Sequence, residues 1–103
     1  MRIIKEKTLK DKCSLPQYKH AETHLVAWVR EIENVFFDNP NQLKNMYGNA
    51  SILSNKRVVF NIKGNDFRLI TDIEYKLGIV FIFWFGSHEE YDKINAKTVK
   101  YEN

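Results

Sequence analysis

The stretch NKRVVFNIKGNDFRLI, residues 55–70, decides the fold class. Val58, Phe60 and Ile62 alternate with Arg57, Val59 and Asn61. A period of two marks a strand with one buried face. Lys63-Gly64-Asn65-Asp66 then carries the turn chemistry of a hairpin. Alternation resumes beyond it, with Phe67, Leu69, Thr71, Ile73 and Tyr75 on one face and Arg68, Ile70, Asp72 and Glu74 on the other. Asn61 and Arg68 therefore share the face opposite the large apolar set. A strand that only fills a core has no use for Asn61, and one that only meets water has no use for Phe60.

Working outward, Lys76-Leu77-Gly78 makes a second tight turn. Ile79 to Phe85 is unbroken apolar, which fits a central strand covered on both faces. Ser87 with Glu90 three residues on has the pattern of a capping box opening a short last helix. Upstream, Tyr18, Ala21, Leu25, Trp28, Val29, Ile32 and Val35 recur at steps of three and four, the apolar stripe of a helix starting near Pro16. Thr8 is placed to cap a short helix ending near Cys13, and Asn39 to cap another with Pro40 at its first position. Gly48 is expected to close that helix in a left-handed conformation. Arg2 to Lys5 reads as a short first strand. The order predicts one α+β domain over residues 1–103. A small antiparallel sheet, a meander of three strands, packs on N-terminal helices and is followed by a short C-terminal helix.

Bulk properties narrow the function. The chain has 103 residues, 44% hydrophobic and 14% aromatic, which argues against disorder. A net charge of +3 with a pI near 9.0 permits an anionic partner without demanding one. Residues 1–20 hold six Lys/Arg against two Asp/Glu, so the charge is uneven. A single cysteine, Cys13, rules out an internal disulfide and a Cys-rich metal site, and fits a reduced, cytoplasmic setting. The N-terminus lacks the apolar core of a signal peptide, and GIVFIFWFG is too short to span a bilayer.

The polar groups on the second sheet face are cations and amides: Lys56, Arg57, Asn61, Lys63, Asn65 and Arg68. His88, Tyr91 and Lys93 follow directly after the third strand. No carboxylate pair suits acid–base hydrolysis, and His20 and His24 lack a third ligand, so no metal or cofactor is expected. Cations, amides, an imidazole and a phenol suit a polyanion with bases. Arg68 can grip a phosphate, and Tyr91 and His88 can stack on a base or move protons. RNA also carries its own nucleophile, the 2′-hydroxyl. A plainer reading stands beside this one. Arg68 could pair with Asp72 or Glu74, Asn61 could serve the backbone, and Asn65 could be an ordinary turn residue.

RVVFNIKGN (residues 57–65), the following Arg68-Leu69 and HEEYDKINAKTV (residues 88–99) together resemble the HigB toxin family, within the RelE-like superfamily of ribosome-dependent mRNA endonucleases. The resemblance runs from Ala27-Trp28 through Ala50-Ser51-Ile52-Leu53 to Asn103 or nearly so. It implies a RelE-like fold and cleavage of mRNA in the ribosomal A site, inhibiting translation. It implies a HigA-like helix-turn-helix antitoxin as partner, with operator DNA bound only through the complex. Carried onto matching positions, it implies Arg68 at the scissile phosphate, with His88, Tyr91 and Lys56 in the catalytic group. Arg57, Asn61, Lys63, Asn65, Asp92 and Lys93 are implied RNA contacts, and Asp92 also orients His88. Phe67 stands where a tyrosine is common, and Ser87 where threonine is common. The rivals are a silent RNA-binding domain on the same face and a protein-interaction module built on Trp84. Burial of both Trp28 and Trp84 would count against the latter.

Overall fold

The hairpin forms where alternation puts it. The structure is a computed structural model and describes residues 1–99. Residues 100–103, the end of the resemblance, lie outside the described residues. β3 (Arg57–Ile62) and β4 (Phe67–Glu74) are antiparallel, with Asn61 opposite Arg68 and Ile62 opposite Phe67. Lys63 and Gly64 both take positive φ at the turn, a conformation that glycine adopts freely and lysine only at a cost. β5 (Ile79–Ser87) pairs with β4 on its other side, so β4 is the middle strand.

The sheet exceeds the expected three-strand meander. β1 (Arg2–Ile4) joins β5 in parallel, and β2 (Ser51–Ile52) joins β3, giving a mixed five-stranded sheet in the order β1-β5-β4-β3-β2. Fragments of two or three residues have too little pattern of their own to reveal pairing. With β1 outside it, β5 is an interior strand, as its apolar run requires.

The helical layer also differs in detail. α1 (Glu6–Cys13) begins before Thr8, after Lys5 in a left-handed conformation, so Thr8 lies in its first turn rather than capping it. The long stripe starts at Pro16 as a 3₁₀ helix (Pro16–Ala21) and continues as α2 (Glu22–Glu33). α3 (Pro40–Met46) is capped as expected, Asn39 accepting from the Gln42 amide. Gly48 is not its left-handed closing residue, since its φ is not positive. The Lys44 ammonium donates to the carbonyls of Gly48 and Ala50 instead.

Tyr18, Ala21, Leu25, Trp28 and Ile32 are buried against Phe60, Leu69, Ile73, Val80, Ile82 and Phe85. Trp28 meets Phe60 edge-on at 5.2 Å. Cys13 is buried at the end of α1, and burial, followed by the nearby charge of Glu22, pushes its thiol pKa up. No helix among the described residues is long and apolar enough to cross a membrane.

The second sheet face is less open than alternation suggests. Val59 and Ile70 are buried beneath Tyr91, Ile94, Ala96 and Val99. Arg57 holds this C-terminal strap in place. Its guanidinium grips both oxygens of Asp72, at 2.6 and 3.3 Å, and donates to the carbonyls of Ala96 and Val99, each at 2.9 Å. It also lies 4.5 Å from the centre of the Phe83 ring. With the residue 8% exposed, Arg57 is a tie within the fold, its guanidinium taken up by internal partners where an RNA contact was expected.

Breaking a buried pair strands the remaining partner. Arg57→Ala is therefore expected to cost about 3 kcal/mol. Arg57→Lys is expected to recover only part, since an ammonium cannot hold a carboxylate through two parallel bonds and also reach two carbonyls. Urea unfolding midpoints measure both. Limited proteolysis should cut the Arg57→Ala protein first within residues 92–99. A midpoint unchanged by Arg57→Ala would return Arg57 to the surface role.

Candidate nucleic-acid interface

Three elements converge at the turn end of the β3–β4 hairpin. The first is the hairpin itself. Arg68 lies across from Asn61 on β3 and from Gly86 on β5. Its guanidinium donates to the carbonyls of Asn65 and Phe67, at 2.9 and 3.1 Å. The carboxylates offered by the plainer reading are occupied elsewhere, Asp72 by Arg57 and Glu74 by Lys56. Arg68 is thus held by neutral carbonyls, its charge not offset by a paired carboxylate among the described residues. Asn61 points its amide at Asn65 Oδ1, 3.4 Å away, and Lys63 pairs with Asp66 at 3.5 Å.

The second element is α4 (His88–Tyr91), a single turn opened by the expected capping box. Ser87 Oγ accepts from the Glu90 amide and Glu90 Oε1 from the Ser87 amide. The His88 amide donates to the Asp66 carbonyl at 2.9 Å, fastening the helix to the hairpin tip. Tyr91 comes back over the sheet so that the Arg68 guanidinium lies 5.8 Å from its ring centre. His88 Nδ1 faces Asp92 Oδ2 at 3.4 Å. Lys93 follows, exposed.

The third element is β5. A bulge opposite Ile70 and Thr71 gives Ile70 the partner Trp84 and Thr71 the partner Ile82. Phe83 is the extra residue, so Phe83 and Trp84 both join the second face. The Trp84 ring lies over Gly86, where an added Cβ would meet it at 2.6 Å, and tilts against Tyr91 at 6.2 Å. Trp28 is buried but Trp84 only half-buried, so the burial of both that would count against the protein-interaction reading is met by Trp28 alone.

Arg68, Asn61, Asn65, Lys63, His88, Tyr91 and Asp92 thus gather at one end of the sheet, with Lys93 next in the chain. Lys56 and Arg57 do not join them. Lys56 precedes β3 and pairs with Glu74. Asn61 lies five strand steps beyond Lys56, about 17 Å. Arg57 is enclosed under the C-terminal strap. The alternation argument missed Trp84, because a bulge breaks the period it relies on. The signal was Gly86, since a glycine inside a strand marks close approach.

Glu90 was also missed as more than a capping residue. Its carboxyl pKa is held below the usual 4.5, first by the Ser87 amide and then, against the opposing effect of burial, by the Tyr18 hydroxyl. The stabilisation from these contacts is full above 4.5 and fades as pH falls through the lowered value. Glu90→Gln is therefore expected to lower the urea midpoint at neutral pH, and by progressively less as pH falls through the lowered pKa, where the wild-type carboxyl itself becomes neutral. A gap that stays constant across that range would contradict the lowered pKa.

A cationic and aromatic cluster of this kind, on this order of helices and strands, has relatives. Residues 21–94 match the family model described as HigB toxin, the RelE-like toxic component of a toxin–antitoxin system. The mRNA interferase toxin HigB of Escherichia coli (strain K12) is 30% identical over 98 residues, 93% of this chain and 92% of that protein. The mRNA interferase HigB of Shigella flexneri is similar to the same extent. With the family model matching well over half of the sequence, and with helices, sheet and short last helix in the expected order, the chain belongs to the HigB family of RelE-like toxins.

Proposed function

We propose that this chain is an mRNA interferase, an endoribonuclease that cuts messenger RNA on the ribosome, in the A site, and so stops translation. The observation that carries this is Arg68, a half-buried strand arginine free of carboxylate partners among the described residues, with the Tyr91 ring beside it and His88 opening the same helical turn. Such a cation binds a phosphate diester and stabilises the charge that builds on it in the transition state. The mRNA interferase relatives support the same substrate class.

The reaction uses the substrate's own nucleophile. The 2′-hydroxyl loses its proton and attacks the adjacent phosphorus. The bond from phosphorus to the 5′-oxygen breaks, and that oxygen takes a proton. The products are a 2′,3′-cyclic phosphate and a 5′-hydroxyl end. No metal ion is required for this step. His88 and Tyr91 exchange the two protons, with Asp92 orienting the His88 ring. Asn61, Asn65, Lys63 and Lys93 line the path of the flanking nucleotides. Lys56, ion-paired and remote from this cluster, is left out of the chemistry. A HigA-like antitoxin with a helix-turn-helix domain holds the toxin in check, and operator DNA is engaged through that complex.

The test is cleavage of mRNA by purified protein, on programmed ribosomes and as naked RNA, mapping the new 5′ ends. Arg68→Ala is expected to slow cutting about a hundredfold or more, as does removal of a charge-stabilising donor. His88→Ala and Tyr91→Phe are each expected to cost about a hundredfold, in line with loss of a general acid or base. Lys56→Ala should leave cutting within a factor of about two, as for an exposed ion pair. Tight, salt-sensitive RNA binding with no new ends would instead make this a silent RNA-binding member of the family.

A further inference from the structure

The N-terminal layer reaches the candidate site through the 3₁₀ helix. Tyr18, in the 3₁₀ helix, is buried, 3% exposed, with its ring edge-on to Phe67 at 6.2 Å and Phe85 at 5.7 Å. Its hydroxyl leaves the core and meets both oxygens of Glu90, at 2.7 and 2.8 Å, across 72 residues of sequence. Lys12 stands over the Tyr18 ring, 5.2 Å from its centre. Glu90 lies between His88 and Tyr91 in α4, a helix of four residues. One turn has too few internal bonds to persist alone. Its direction comes from outside contacts, among them the packing of Tyr91 on Trp84, the Asp66 carbonyl on the His88 amide, and the Tyr18 hydroxyl on Glu90.

We infer that Tyr18 is a positioning residue for the candidate site, holding Glu90 so that α4 presents His88 and Tyr91 beside Arg68. This rests on the proposed nuclease function for its consequence, but not for its geometry. Tyr18 touches no substrate. It acts through Glu90, and it makes the placement of α4 depend on the packing of the N-terminal helices against Phe67 and Phe85.

Tyr18→Phe keeps the ring in the core and removes only the hydroxyl. Two measurements on the purified full chain decide the matter. The first is hydrogen exchange of the His88 amide by NMR. It is expected to exchange about tenfold faster in Tyr18→Phe, as a locally opened segment does, while amides of β4 keep their protection. Unchanged exchange at His88, or equal loss across β4, would overturn the inference. The second is cleavage of mRNA on programmed ribosomes. The turnover rate is expected to fall about tenfold with KM unchanged, since displacement of reacting groups slows the chemical step. Glu90→Gln should slow it similarly, and the double variant should be no slower than the slower single variant. Additive losses, or a rate matching wild type, would overturn the positioning role. If wild-type protein cuts no mRNA, the nuclease reading falls, and the His88 amide still decides whether Tyr18 holds α4.

Discussion

The register of β3 against β4 is the constraint on which everything else depends. With Asn61 opposite Arg68, the large residues Phe60, Ile62, Phe67 and Leu69 all face the helices. A slip of one residue would turn that set to solvent and drive Arg68 into the core. Burial of those four side chains therefore fixes the side on which the arginine emerges. The same register sets Asp72 opposite Arg57, which places their ion pair on the face that the C-terminal strap crosses. Core packing on one side and charge placement on the other are thus a single decision.

The two arginines of the hairpin illustrate how the same chemistry serves different ends. Arg57 has a full set of partners: a carboxylate gripped at two points, two carbonyls and an aromatic face. Its charge is consumed inside the molecule. Arg68 has main-chain carbonyls and the edge of a site. Its charge remains available to an anion. What separates them is the strap of residues 92–99, which leaves α4 beside the hairpin tip, passes over Val59 and Ile70 and closes on Arg57.

The last helix is where fold and site meet. Its capping box fixes where the chain turns, while Asp66 and Tyr18 fix where the turn points. A helix of one turn contributes little stability of its own, so its position follows the elements around it. The bulge in β5 has a related effect, turning Trp84 onto the face where Tyr91 lands. His88 and Tyr91 thus owe their placement to groups distant in sequence.

The sequence by itself determined what short-range periodicity can carry. The α2 stripe, the β3–β4 hairpin, the Asn39 cap, the Ser87–Glu90 box and the shared face of Asn61 and Arg68 all follow from spacings of two, three or four residues. The family resemblance was legible for a like reason, since it lies in contiguous blocks such as RVVFNIKGN. Only the tertiary structure decided the parallel pairing of β1 with β5, the enclosure of Arg57, the exclusion of Lys56 from the cluster and the bond from Tyr18 to Glu90. The reason is physical. Those outcomes depend on which partner wins when several polar groups compete, and that is settled by distances across the fold, to which local pattern is blind.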